Sequence, residues 1–405
     1  MIVAPPDTGV RRCRSGCLPT DGRPEAGAGA GAWLDWTGRT GSGKAPMQRS
    51  ANAVDFWRGF ALIEIFINHI PGNFWEQFTH KAVSQSDAAE LFVFLAGWSL
   101  TYVAGSVEKP RPAHQLTLRL FLRAGKLYAA HMVIVMAAIA MLAGASKVFD
   151  NPLLLDWFNA SAVFTAPVEA HIGLVFLTYQ LGYFDILPLY ITLLIMSPFL
   201  ILLHRRWPAL LLPVSGGLWL VCLVGQFTFD AWPTEGEWFF DPLCWQFALS
   251  LGFLCGLNRG PGAWIRTHLT TIRWLALPVV MVAAWARWHG WEMDPTAAPE
   301  PHLLFVNDKS FLTPIRIGQF LLLAAVASAL WGPVSRSLPA LADALALLGR
   351  HSLLVFCVGS LLSLAAQILR WALRGSLISD TLIVVWGLAV LFCVAAAADW
   401  WERQR

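Results

Sequence analysis

Leu321–Leu330 reads LLLAAVASAL, an apolar run without the two-residue alternation of a half-buried strand. In hydrocarbon only a helix or a closed barrel satisfies its own backbone, so such a run predicts a helix. The stretch around it, roughly 315–334, is long enough to cross about 30 Å of hydrocarbon, which takes about 20 residues at 1.5 Å each. Comparable stretches lie at roughly 55–71, 88–105, 119–144, 183–203, 208–227, 242–258, 272–289, 351–370 and 380–400. The pattern predicts an all-α, polytopic helical membrane bundle of about ten transmembrane helices.

Composition points the same way. Of 405 residues, 56% are hydrophobic and only 14% charged, with a mean hydropathy of +0.55. Soluble domains carry about 25% charged residues. This excludes a soluble enzyme, a disordered chain and a disulfide scaffold. A net charge of +3 is too small to suggest a nucleic-acid partner; the partner it implies is the lipid bilayer. Cys222, Cys244, Cys255, Cys357 and Cys393 lie in apolar runs and read as small hydrophobes, whereas Cys13 and Cys17 have no nearby Cys or His pair, so no metal centre is expected.

Residues 1–46 are Gly/Ala/Pro/Arg-rich and aperiodic, with PEAGAGAGA at 24–32, and are expected to be a disordered tail. Met47, just ahead of the first apolar run, is the expected biological start, which leaves 47–405 as the integral membrane domain. Placing both termini in the cytoplasm puts every Lys and Arg inside except Lys81, Lys147, Arg287, Lys309, Arg316, Arg370 and Arg374. That asymmetry is what the positive-inside rule asks for. The long outer segment 145–182, with Trp157, Phe158 and Glu169-Ala170-His171, is expected to lay a re-entrant or interfacial piece over the bundle. No internal repeat is evident.

An ionisable residue within a membrane helix is expensive and by default marks a function. The first span, DFWRGFALIEIFINHIPGN at 55–73, carries Asp55, Arg58, Glu64 and His69. Helical geometry puts Arg58 and His69 within about 20° of one stripe and about 16 Å apart along the axis. Asp55 is placed to pair with Arg58. Glu64 points elsewhere and reads as a structural hydrogen-bond partner. Taken alone, Arg58 also suits a topogenic anchor and His69 a packed interior histidine. SDAAELFVFLAGW at 86–98 brings Asp87 and Glu90 to the level of His69, where a carboxylate orients an imidazole, although Asp87 also suits a helix cap.

Arg119, Arg123 and Lys126 open the third span, either as a phosphate-binding cluster or as topogenic charge; His131 lies deeper, as a ligand contact or a structural hydrogen-bonding group. Asp241-Pro242-Leu243-Cys244-Trp245-Gln246 opens the sixth span, with Trp245 expected at the membrane interface and Gln246 turned inward. Asn307-Asp308-Lys309, then Arg316, stand at the outer entrance of the eighth, where Asp308 and Lys309 also suit a surface ion pair. Gly349-Arg350-His351-Ser352 opens the ninth on the inner side. The polar groups thus fall on two levels, a basic inner one (Arg58, Arg119, Arg123, Lys126, Arg350, His351) and an outer one (His69, Asp87, Glu90, Asp308, Lys309, Arg316). Such an arrangement suits a phosphate-bearing donor on one side and chemistry near the other.

The R-x10-H pair on the first span resembles the signature of the acyltransferase-3 superfamily. A wider set of strings resembles the OpgC family, which modifies osmoregulated periplasmic glucans: DFWRGFALIEIFINHIPGN, SDAAELFVFLAG, RAGKLYAAH, FDPLCWQFALSLG, NDKSFLTPIRI and LGRHSLLVFC, from Asp55 to about Ser363. Asp241 and Trp98 are modest departures from the family pattern. The resemblance implies a multi-pass protein of the bacterial inner membrane that transfers succinyl from succinyl-CoA to hydroxyls of a periplasmic glucan. The acyl-CoA is then a donor substrate, and no cofactor is permanently bound.

With the residue reading, this implies roles. Arg58 with Asp55, Arg119, Arg123, Lys126, Arg350 and His351 would hold the CoA end. His69, oriented by Glu90 or Asp87, would be the general base. Lys309 or Arg316 would stabilise the oxyanion or recognise the succinyl carboxylate, while Asp308, Trp245, Gln246 and His131 would serve substrate binding. The alternatives are acetyl transfer to another envelope polysaccharide or lipid, a secondary transporter, and a non-enzymatic scaffold.

Overall fold

The computed structural model describes residues 51–105, 110–291, 294 and 297–405. The expected tail at 1–46, the start at Met47, Cys13, Cys17, Lys109 and Glu292 lie outside the described residues. Within them the apolar runs are helices: α1 (Ala53–Asn68), α2 (Ala88–Ala104), α3 (Ala113–Val148), α4 (Ala162–Thr165), α5 (Pro167–Phe176), α6 (Ile186–Arg206), α7 (Leu211–Gly225), α8 (Pro242–Gly256), α9 (Pro261–Trp288), α10 (Pro314–Ala327), α11 (Trp331–Ser337), α12 (Pro339–Arg350), α13 (Ser352–Ala372) and α14 (Leu377–Gln404). No strand occurs among the described residues.

Among the described residues, six helical segments are long and apolar enough to cross a membrane: α3, α6 with its leading turn, α9, the α10–α11 pair, α13 and α14. The other expected spans, α1, α2, α7 and α8, have 16, 17, 15 and 15 residues. At 1.5 Å per residue, 16 residues reach only about 24 Å. Three of these short helices, α1, α2 and α8, hold much of the buried core. The longer α9 is the reverse case, with only 6% of its apolar window buried.

The run that opened the sequence reading breaks. Helix α10 ends at Ala327, and α11 resumes at Trp331 with Pro333 in its first turn. Proline has no N–H to donate and clashes with the carbonyl four residues back, which here belongs to Ala329. The segment 145–182 finishes α3 at Val148 and continues as short turns plus α4 and α5, and α12 lies where only a connection was expected.

Two crossings of bare backbone set the frame. A Cβ on Gly59 of α1 would stand 1.9 Å from the Leu345 carbonyl oxygen of α12, and one on Gly349 would stand 1.9 Å from that of Asp55. The α2–α8 crossing repeats the device, with Gly97 against Leu249 O at 1.9 Å and Gly252 against Phe94 O at 2.0 Å. Small residues let helices approach this closely where lipid offers no hydrophobic drive. The surface is inverted relative to a soluble protein. Asp55, Glu64, Glu90 and Arg316 are buried, whereas Trp274, Met281, Trp285 and Trp386 are exposed. The chain is therefore a helical membrane protein.

Replacing Gly97 with Ala forces the α2 and α8 backbones apart. Overpacking of this kind costs about 1–3 kcal/mol and more when only backbone can yield. The G97A protein in detergent is expected to unfold about 5 °C or more below wild type; an unchanged midpoint would refute the close crossing.

Candidate active site

Helix α1 stops at Asn68, and His69 is its C-cap, with the backbone N–H donating to Ile65 O. The next turn is pinned from α13 and α14. Gln367 Nε2 donates to the His69 carbonyl at 2.6 Å, the Arg370 guanidinium bonds to the carbonyls of Pro71 and Gly72, and Arg370 Nε pairs with Asp380 at 2.9 Å. The imidazole stacks on Tyr183, with centroids 4.7 Å apart and planes inclined by 18°. Its Nδ1 is buried with no hydrogen-bond partner. Asp87 lies within electrostatic reach of the imidazole, but no hydrogen bond from Asp87 or Glu90 reaches Nδ1, and the oxygens of both carboxylates are engaged by other groups.

Those oxygens build an ionic quartet. Asp87 caps α2 by accepting from Ala89 N at 2.8 Å, and Glu90 reaches back to Asp87 N at 2.9 Å, a capping box. The second oxygen of Glu90 accepts from Arg316 Nε at 2.7 Å, while that of Asp87 meets Lys309 Nζ at 2.6 Å and Arg316 Nη2 at 3.4 Å. Arg316 also donates to Asn307 Oδ1 at 3.2 Å. Burial pushes the Asp87 carboxyl up, but Lys309 and Arg316 outweigh it and hold the group below the ordinary carboxylate range. The quartet joins the start of α2 to α10 and the turn before it.

Asp308 takes no part in an ion pair with Lys309; its carboxylate accepts from Phe311 N at 3.0 Å and shapes the turn. Trp245 is not at an interface. It is fully buried, and its indole N–H donates to the carbonyls of Lys309 and Ser310 at 3.0 and 3.2 Å, anchoring the turn that carries the lysine. Gln246 is turned inward but bonds to Ser215 of α7, so it serves the α7–α8 seam. Asp241 caps α8 through Leu243 N and Cys244 N at 2.6 and 3.0 Å, bonds an Asn would also make.

At the other end of α1, Arg58 pairs with Asp55 at 3.6 Å and donates to Ser99 Oγ and the Leu95 carbonyl of α2. Arg123 donates to the Tyr190 hydroxyl of α6 at 2.9 Å, and both lie within electrostatic reach of Arg58. The rest of the expected basic pole is dispersed. Arg119 and Lys126 are exposed on α3. His351 turns to Asp399 and Glu402 of α14, at 3.6 and 3.8 Å, and Arg350 lies within electrostatic reach of Asp399. His131 is buried in α3 with neither ring nitrogen hydrogen-bonded. Between the two ends, Phe92 packs on Tyr190 and Phe356, at 5.9 and 6.3 Å between centroids.

The sequence reading missed several members of the site. Tyr183, Asp185 and Phe239 line a cavity of about 440 Å³ that adjoins His69 through Tyr183 and Lys309 through Phe239, the ammonium standing 5.5 Å from that ring. The available signal was a polar Tyr-Phe-Asp at the start of a span. Glu64 is structural, as expected, but its partner, His80, comes from the loop beyond His69: Glu64 accepts from the His80 backbone at 2.8 Å and pairs with its imidazole.

Truncating Arg316 strands Glu90 in a fully buried position. An uncompensated buried charge costs about 3–5 kcal/mol, so R316M is expected to be strongly destabilised and E90Q/R316M less so; equal loss in both refutes the pairing. Burial opposes charge on the loop residue His80, yet Glu64 more than offsets it and the pKa lies above the ordinary value. A raised pKa stabilises fully below about 6.5 and is lost as pH climbs through the folded value. The gap in unfolding midpoint between wild type and H80A is therefore expected to be wider at pH 6 than at pH 9.

The family described as OpgC protein matches over residues 49–403. No curated protein and no solved structure matches the chain. The family match takes in both ends of α1, the quartet and the cavity, and on that extent the chain belongs to the OpgC family.

Proposed function

We propose that this chain is a membrane O-acyltransferase, with acyltransferase-3 chemistry, that moves a succinyl group from cytoplasmic acyl-CoA to hydroxyls of a periplasmic glucan. In this reading it sits in the bacterial inner membrane with ten spans and both termini cytoplasmic, and the Arg58 end of α1 faces the cytoplasm. The observation that supports it is that both ends of α1 meet one stretch of chain: Arg58 lies within electrostatic reach of Tyr190 on α6, and His69 stacks on Tyr183 in the turn that leads into α6.

Arg58 and Arg123 receive the donor's phosphates, as guanidinium groups suit. Glu90 to Ser99 on α2 measures about 14 Å, an independent ruler for the pantetheine arm. Phe92 fills the level between, so the arm reaches His69 only when that ring moves. The neutral imidazole of His69 takes the proton from a glucan hydroxyl. The oxygen then attacks the thioester carbonyl, and the tetrahedral intermediate collapses to ester and CoA thiol, which carries away the proton. Arg316 is buried and committed to Glu90, Asp87 and Asn307, whereas Lys309 pairs with Asp87 but is one-quarter exposed beside the cavity. Lys309 is therefore the cation that meets the succinyl carboxylate or the oxyanion.

Glucans from a deletion strain complemented with wild type, H69A or R58A test this by mass spectrometry. Loss of a general base lowers rate about 10²–10⁴-fold, so H69A glucans should lack the succinyl mass. In membranes, R58A should raise KM for succinyl-CoA, and R58K should restore part of it. Succinylated glucan from H69A would refute the assignment.

A further inference from the structure

The cavity beside His69 has a composition of its own. Phe239 is 47% exposed, and Phe158, Asn159, Gln180 and Asp185 line the walls with Tyr183. Glu235 and Glu237 stand exposed at the rim, on a turn closed by Ala231 N–H to Gly236 O at 3.0 Å and Trp238 N–H to Phe229 O at 2.8 Å. Lys309 stands beside the cavity, its ammonium over the rings of Phe239 and Phe240.

The wall bearing Phe158 is strained. Phe158 and Asn159 both adopt the left-handed region, at φ 57° and 62°, and only Gly182 allows the Phe158 ring its place, since a Cβ there would stand 1.7 Å from it. Non-glycine residues in that region cost about 1–3 kcal/mol each and collect at ligand clamps. The strain aims an aromatic edge at Tyr183, with centroids 5.3 Å apart.

Aromatic faces with amide and carboxylate acceptors suit a neutral, hydroxyl-rich ring, whose C–H face lies on the aromatics while its hydroxyls donate outward. Carboxylates at the rim act differently on an acceptor that has already been succinylated. A cleft lined by one sign of charge repels a ligand of that sign, and specificity commonly comes from such a repulsive element.

We infer that this cavity is the acceptor subsite: it binds a neutral saccharide on Phe239 and Phe158, and Glu235 and Glu237 reject a saccharide that already bears a succinyl carboxylate. The inference rests on the proposed acyl transfer and adds to it a limit on how heavily one glucan is substituted. The acidic rim also favours departure of the anionic product.

The test is binding, measured without acyl-CoA, on the purified full-length protein with unsubstituted and chemically succinylated glucan oligosaccharides. Wild type should prefer the unsubstituted probe about fivefold at low salt and lose the preference at high salt, as screened charges do. E235Q/E237Q should bring the ratio to near one. F239A should weaken the unsubstituted probe about fivefold, an effect of the size of one aromatic contact, and F239W should restore it. In complemented cells, E235Q/E237Q should raise the mean number of succinyl groups per glucan. An F239A protein that binds like wild type, or a ratio that the double variant does not move, would overturn the inference. If wild-type glucans carry no succinyl while the binding responses hold, the transfer reading fails and the subsite stands.

Discussion

Backbone touching backbone at glycine is the constraint on which this structure depends. Lipid tails attract apolar side chains as well as protein does, so helices in a bilayer gain by fitting closely. At Gly59–Gly349 and Gly97–Gly252 no side chain separates the helices, and each glycine meets a carbonyl oxygen of its neighbour. These contacts fix α1 on α12 and α2 on α8. Because α1 carries Arg58 and His69 and α2 carries Asp87 and Glu90, they also fix the site.

On that frame the charges sort by their cost. Glu90 and Arg316 are deeply buried and satisfy one another, with Asp87 and Lys309 completing a group that is neutral overall. Buried ions persist only when paired and hydrogen-bonded. His69 is different: its ring rests on Tyr183, and Nδ1 has no partner. Gln367 holds this residue by its backbone carbonyl, which leaves the stacked imidazole without a side-chain partner at Nδ1.

Much of this was legible in the sequence because the bilayer imposes length and polarity on every helix. Each of the ten expected stretches falls on helix, the one at 315–334 broken between α10 and α11. The pairing of Asp87 and Glu90 with Lys309 and Arg316 was not legible, since it joins residues more than two hundred positions apart, and periodicity on one helix is silent about another. Periodicity on α1 is equally silent about Tyr183 under His69, which comes from the turn before α6, and about His80 on Glu64, which comes from the loop after α1. Trp245 misled because tryptophan at the start of a span suits an interface, yet here its N–H finds carbonyls inside. Helices α1, α2, α7 and α8 are one to five residues shorter than the stretches expected for them.

The layer formed by Phe92, Tyr190 and Phe356 bears on the cell's energy supply if the transfer proposed above holds. A donor arm that crosses the bilayer here would need a passage, and a passage filled with water would conduct protons, driven by about 2.3 kcal/mol per charge at 100 mV. Packed rings between Arg58 and His69 would then be the seal that keeps such a passage from leaking.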